Sequence, residues 1–456
     1  MQASGGPKSR KLVLTAAVAT VLISAAAYGV YRYSDGASRG NVIAEGKPGS
    51  AVSASTSTLA DAGPQYEQAL SLVTESYRKT GRLPAAAALA AGNKSQASAG
   101  DTDAQNQEKL GKLLNQAAAA GHPQASYLLA MLLNGFERNE ASAGNAARSG
   151  QLLKQAADKG FFLAQYDAVR LTPGMLPRDE AHYRSAQEAA NAGFAPAQVH
   201  AALSANGPQR TAWFEKALAE QRQAAVSDPL IAFRNQVLAD RKDSFDALYI
   251  GIGQYAYAMD LLGAGDAVNA ARAHALIRNA ARLDIPAASL ADAKMRISGQ
   301  GGTRRPAEGA AILTRLGREK AAELSCSKLF PECATSYIAT AQYLLALNHF
   351  GQTPGFAGIT DAVANLQLAA GSGNTDAKSL LGWALLQGME TPADPGKAFV
   401  LLSDASDAGV VDAKYWLAKC YIDGKGTRPD PAKARSLLSE AASAGHIDAQ
   451  KLLQKI

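Results

Sequence analysis

Cysteine, aromatic residues and net charge of either sign are all in short supply, and each shortage removes a class of protein. Three cysteines in 456 residues cannot staple a disulfide framework, which needs a dense, paired set. Aromatics make up 6% of the chain against 47% hydrophobic residues. The apolar content is therefore mostly alanine and leucine, unlike the Val, Ile, Thr and aromatic mix of a large β-sandwich. The net charge is only +6, and adjacent basic pairs such as Arg304-Arg305 and Arg241-Lys242 are few. Asp240 and Asp243 cancel the second pair locally. No nucleic-acid partner is expected from so diffuse a charge.

The motifs that carry chemistry are missing as well. The chain has no GxxxxGK[ST], no GxSxG, no HExxH and no paired CxxC, so phosphate-loop, hydrolase and zinc readings fail. Gly251-x-Gly253 lacks the third glycine of a dinucleotide loop. The six histidines are scattered; His182, His200, His274 and His349 have no carboxylate or cysteine partner at motif spacing. His122 and His446 occupy a slot filled elsewhere by Phe161, Phe194 or Val410, which marks a packing or turn position. No catalytic, cofactor-binding or metal-ligating residue is assigned, and no enzyme is expected.

What is present is helix-forming, since alanine and leucine favour helix and alanine lets axes approach closely. The length exceeds one ordinary core unless the architecture is elongated. Residues Leu12–Tyr31 are uncharged and mainly apolar, and twenty such residues span ~30 Å as a helix. Lys8, Arg10 and Lys11 precede them, and Tyr28, Tyr31 and Tyr33 cluster at the far end. The positive-inside bias then predicts a cytoplasmic segment 1–11, an anchor over 12–31 and everything beyond Tyr33 outside the cytoplasm. The expected location is the inner membrane, single-pass, with the body in the periplasm. The alternative is a cleaved signal peptide, because Ser24 to Ala27 offers small residues, leaving a soluble periplasmic body. Residues 34–62 are rich in Gly, Ser and Ala and read as a flexible linker, followed by leading helices over 63–92.

A repeat is the strongest pattern. Gly373, Gly409 and Gly445 fall 36 apart, as do Asp376, Asp412 and Asp448, and Leu381, Leu417 and Leu453. Asp394-Pro395 pairs with Asp430-Pro431 at the same offset. Asp394 and Asp430 are placed as N-caps, and Pro395 and Pro431 at the first helical position. Gly409 and Gly445 end the first helix in the left-handed conformation, and a second helix starts near Asp412 or Asp448. Weaker copies end their first helices at Gly121, Gly160 and Gly193, while Asp284 stands where a glycine is expected. Repeats are expected over 104–206 and 246–456, separated by an irregular helical segment at 207–245 carrying Trp213, Phe214 and Phe233.

The stretch KAFVLLSDASDAGVVDAKYWLAKCYIDGKGTRPDPAKARSLLSEAASAGHIDAQ, with its loop Gly424 to Asp430, resembles the Sel1-like repeat family, relatives of the tetratricopeptide repeat. The resemblance implies an all-α, right-handed superhelical α-solenoid of antiparallel helix pairs, preceded here by a single transmembrane helix and a linker. It further implies a scaffold binding other envelope or membrane proteins through the concave face, in polysaccharide export, secretion or pilus machinery. Bacterial periplasmic scaffolds such as the alginate-export scaffold lipoprotein are distantly similar, but no lipoprotein cysteine lies near the anchor.

Cys326 and Cys333 lie seven apart around Pro331, read as a turn, and are a possible disulfide in an insertion near 324–336; Cys420 reads as buried. Trp383, Tyr415, Trp416 and Tyr421 on second helices are the candidate partner-binding residues, because Trp and Tyr dominate interface energetics. A carbohydrate- or peptidoglycan-binding module using those aromatics is the alternative function.

Overall fold

Alanine-rich segments punctuated by Gly, Pro and Asp fold here as helix, tight turn, helix, loop. The computed structural model describes residues 56–89, 102–134, 143–170, 180–218, 226, 228–240, 245–283, 285–319, 331–358 and 361–456. Contact clustering divides the chain at Thr56, and the second unit, Ser57–Ile456, is the one described. Two helices lead, α1 (Thr56–Thr80) and the single turn α2 (Ala86–Leu89). Three helix pairs follow: α3 (Thr102–Ala119) with α4 (Pro123–Leu133), α5 (Ala143–Asp158) with α6 (Phe162–Arg170), and α7 (Glu180–Asn191) with α8 (Ala195–Ser204). Next come α9 (Gly207–Leu218), α10 (Pro229–Asp240) and α11 (Phe245–Gly263). The remaining pairs are α12 (Ala267–Ala281) with α13 (Pro286–Ser298), α14 (Pro306–Arg318) with α15 (Pro331–Phe350), and α16 (Ala362–Gly371) with α17 (Thr375–Gln387). The chain closes with α18 (Pro395–Asp407) and α19 (Val411–Asp423), then α20 (Pro431–Ser443) and α21 (Ile447–Leu453). No strand occurs among the described residues.

Each helix packs chiefly on the one before and the one after, which makes an α-solenoid. The helix pair closes the same way each time. At the end of α18 the Gly409 amide donates to the Ser406 carbonyl (2.9 Å) and the Val410 amide to Ala405 (2.9 Å). Gly445 and His446 repeat this on Ala442 and Ala441, and Gly121 and His122 on Ala118 and Ala117. This is the Schellman pattern, and it needs the left-handed backbone that Gly409 and Gly445 adopt (φ 89° each). The alanine at the receiving carbonyl is fully buried in each case, as at Ala117, Ala405 and Ala441.

The next repeat starts from an Asp-Pro pair. The Asp394 carboxylate accepts from the Lys397 amide (3.0 Å), and Asp430 from Lys433 (3.0 Å). Pro395 and Pro431 open their helices, where no amide is missed. The loop between repeats is tied by the capping residue's own amide, which donates nine residues back: Asp394 to Leu385 and Asp430 to Tyr421 (3.0 Å each). Gly426, at φ 72°, lies so close to the preceding repeat that a Cβ there would stand 2.1 Å from the Pro395 carbonyl.

The segment 207–245 departs from the array. Helix α11 packs on α8 and α9, so that α10 is looped out of the succession. Leu230, Ile231, Phe233 and Val237 of α10 instead join the core formed by α1, α3, α4, α6 and α8. A helix from the middle of the chain thus covers the first three repeats.

Several expectations shift. Helix α1 begins at Thr56, so residues 56–62 of the expected linker are helical, while 34–55 lie outside the described residues. Pro331 opens α15 rather than making a turn, because its fixed φ suits the first helical position. Cys326 lies outside the described residues, as does the Cys333 side chain, so the disulfide does too. Asp284 and the anchor, residues 12–31, also lie outside. No described helix is long and apolar enough to cross a membrane.

Candidate functional site

The second helix of each pair carries a fully buried alanine at one register position: Ala125, Ala164, Ala197, Ala288, Ala377, Ala413 and Ala449 in the first turn, and Ala341 midway along the longer α15. Counting from it, the residue before and those two, three and six after share one face, since helical neighbours recur at three and four residues. That face is the stripe on which this protein places its unusual chemistry. The position two after the alanine holds Tyr127, Tyr166, Tyr343 and Tyr415.

In the amino-terminal repeats the stripe is occupied. Tyr127 and Tyr166 are fully buried. The Tyr127 hydroxyl donates to Asp167 (2.6 Å). Arg234, projecting from α10, donates to the same carboxylate oxygen (2.6 Å) and to the Tyr127 hydroxyl. Its guanidinium also lies 4.4 Å from the Phe194 ring centroid. Asn235, beside it, accepts from the Ala195 amide and donates to the Gly193 carbonyl. Phe233 meets Tyr77 of α1 edge-on (5.8 Å). Helix α10 therefore touches α1, α4, α6 and the start of α8 through one arginine and its neighbours.

In the carboxyl-terminal repeats the same stripe carries aromatics and carboxylates, and among the described residues nothing covers it as α10 does. Phe350 meets Trp383 edge-on (5.5 Å), Trp383 meets Trp416 (6.4 Å), and Trp416 meets Tyr415 (5.0 Å). Trp383, Tyr415 and Trp416 are all half-buried. Tyr415 stacks on His446 (4.6 Å), and Lys419 lies 5.0 Å from the Trp416 ring. The fourth candidate, Tyr421, stands nine residues from Asp412 and so half a revolution away. It packs edge-on against Phe399 (5.5 Å) with Lys433 over its ring, outside the stripe.

Asp376, Asp412 and Asp448 hold the position before the alanine, where the first repeats have Gln124, Leu163 and Pro196. Burial, then the neighbouring Asp412 charge, holds the Asp376 carboxyl above its usual range, with Lys294 opposing. Lys294 is itself pushed down to about 8 by burial, with Asp376 pulling the other way. Tyr343 is 8% exposed. Burial, and then the Asp376 and Asp412 charges, push its hydroxyl far up.

The histidines are largely structural. His122 and His446 are N-caps, their Nδ1 accepting from the Ala125 (3.3 Å) and Ala449 (3.1 Å) amides. With Nδ1 accepting, His446 Nε2 carries the hydrogen that faces Asp412 at 3.4 Å. Motif spacing missed two contacts made across helices, His274 to Asp292 (2.9 Å) and His349 to Glu390 (2.6 Å). Asp292, which also accepts from Arg296 (3.0 Å), lies in a cleft of about 310 Å³ lined by Arg278, Arg282 and Arg315. Sequence position had left these arginines scattered. Among the described residues no three His, Cys, Asp or Glu side chains gather as metal ligands.

The Sel1 repeat family matches residues 123–161, 375–410 and 411–446. The chain carries Sel1 repeats. A Sel1 repeat protein from Oxalobacter formigenes has a similar solved structure, with 20% identity, 81% of this chain and 99% of that chain covered, and a TM-score of 0.42. A protective antigen of uropathogenic Escherichia coli strains displaying an SLR fold is 18% identical, with 76% and 83% covered and a TM-score of 0.32. No curated protein matches the chain. Sel1 repeats suit protein–protein interaction, and the matched copies include the stripe on α17 and α19.

Proposed function

We propose that this protein is a non-enzymatic scaffold, tethered by residues 12–31 to the inner membrane, whose Sel1 repeats hold other proteins of an envelope assembly. The observation that carries the reading is the uncovered stripe of Trp383, Tyr415 and Trp416 on successive second helices. Trp416 and Tyr415 pack against the core behind them and remain partly exposed, and partly exposed Trp and Tyr side chains are what protein interfaces use as anchors. The anchor rests on the twenty uncharged residues from Leu12 and the basic residues before them. Polysaccharide export, secretion and pilus machinery all need such an adaptor. A sugar-binding role fits less well. The stripe's rings meet at 80°, 52° and 72°, so they do not form one coplanar stacking surface.

Photo-crosslinking in cells from positions 383 and 415, followed by mass spectrometry, tests the scaffold. Specific envelope proteins are expected. Recovery of glycans alone, or of nothing, would sink the reading. For the tether, a reporter fused after Tyr33 should be active outside the cytoplasm; activity only inside reverses the orientation.

A further inference from the structure

The amino-terminal half shows what this stripe holds when it is full. There the occupant is a helix with apolar residues around a single arginine, Leu230 to Val237 about Arg234. The arginine reaches a tyrosine hydroxyl and a carboxylate on the stripe, and its neighbours fill the apolar space. Its target carboxylate, Asp167, is 0% exposed and committed to that contact.

The carboxyl-terminal half offers the same components, and among the described residues no helix lies over them. Tyr343 stands in the Tyr127 position, more than nine-tenths buried, and makes no hydrogen bond among the described residues. Asp376 and Asp412 hold the same face on the next two second helices, α17 and α19. Among the described residues Asp376 makes no ion pair, and Asp412 pairs only with the His446 imidazole. Leu380, Trp383 and Trp416 supply half-buried apolar surface beside them. Three successive repeats have a carboxylate before the alanine where the filled half has none, with Lys419 and Lys451 the basic residues on the same face. A tyrosine hydroxyl that makes no protein hydrogen bond among the described residues, on the same face as carboxylates and aromatic edges, suits a guanidinium, which donates in several directions and stacks on rings.

We infer that the stripe across α15, α17 and α19 binds a helical segment of a partner protein that presents an arginine among apolar residues, as α10 does within the chain. The inference rests on the scaffold reading and names the chemistry of its partner. The aromatic chain from Phe350 to Tyr415 is the wall against which the partner's apolar side chains pack.

The probe is a labelled peptide of residues 228–240, titrated into the full-length protein and followed by fluorescence anisotropy. Saturable binding is expected. It should weaken at least tenfold when the peptide's arginine is replaced by alanine, and equally in the Asp376→Asn, Asp412→Asn protein. Tyr343→Phe, which removes one hydroxyl, should weaken it several-fold with an unchanged circular dichroism spectrum. Glu440→Gln, off the stripe, should leave it alone. Absence of binding, binding indifferent to the two aspartates, or an equal loss with Glu440→Gln each overturns the inference. Crosslinking from position 415 separates the two readings. Proteins captured equally by the wild type and the double asparagine variant leave the scaffold standing and remove this site. Capture of no protein removes both.

Discussion

Asp167 and Arg234 bring opposite charges within 2.6 Å at side-chain exposures of 0% and 2%. Two such ions offset their lost hydration through each other, the Tyr127 hydroxyl and, for Arg234, the Phe194 ring. Asp167→Ala is therefore expected to destabilise the chain by about 3–5 kcal/mol, since it leaves an uncompensated buried cation. Asp167→Leu with Arg234→Met should recover most of that in urea denaturation, and a double variant as unstable as the single one would show that packing, not charge, was at stake. His349 is the second residue-scale case. Its hydrogen bond to Glu390, the main cause, raises its pKa above the usual 6.5. A raised folded-state value means the contact stabilises fully below the unfolded pKa and is lost as pH rises through the folded one. Glu390→Gln should lower the His349 pKa in an NMR titration and destabilise the protein at pH 6 but not at pH 8.5. Neither pair is visible as a motif, because each joins residues far apart in the chain: Asp167 and Arg234 are 67 positions apart, and His349 and Glu390 are 41.

Within the helix pair and its loop the opposite holds, because every contact is local. Glycine at C′, aspartate at the cap and proline at the first position each solve a problem set by residues within one turn, so letters alone place them. Gly409, Gly445, Asp394 and Asp430 stand in such geometries. Gly426 is harder to read: its left-handed φ is local, but the Pro395 carbonyl pressed against it belongs to the previous repeat. Two glycine variants separate these effects. Gly445→Ala meets open space and should lose about 1 kcal/mol from backbone conformation alone. Gly426→Ala should lose more, about 2–4 kcal/mol in thermal melts, as it adds a backbone clash to the same strain. Equal losses would mean the loop yields freely. The rungs Lys378–Asp404 (3.0 Å) and Lys414–Glu440 (2.5 Å) repeat at the same 36-residue step, yet such half-exposed pairs contribute at most about 1 kcal/mol each.

Across the whole chain the two ends differ in kind. At the carboxyl end each repeat contacts its neighbours, so removing the last should leave the others intact. At the amino end the repeats share α10 and so form one cooperative block. Ending the chain after Asn206 should leave Tyr127, Asp167 and Phe194 uncovered and give a protease-sensitive product; ending it after Gly424 should leave the upstream repeats resistant. Limited proteolysis decides, and a stable product ending at Asn206 would refute the block. The segment carrying α10 read as irregular from the sequence, and its apolar run around one arginine was the only sign of where it goes. Helix α10 also imposes a timetable on the nascent chain. A simple solenoid can settle repeat by repeat as it leaves the ribosome, but here the third repeat ends near residue 204 and its cover is complete only at Asp240. At about 5–20 residues per second that leaves the first repeats open for seconds. During that interval the Tyr127 and Asp167 surface is exposed to whatever else is folding nearby, and α10 closes it as soon as it is made.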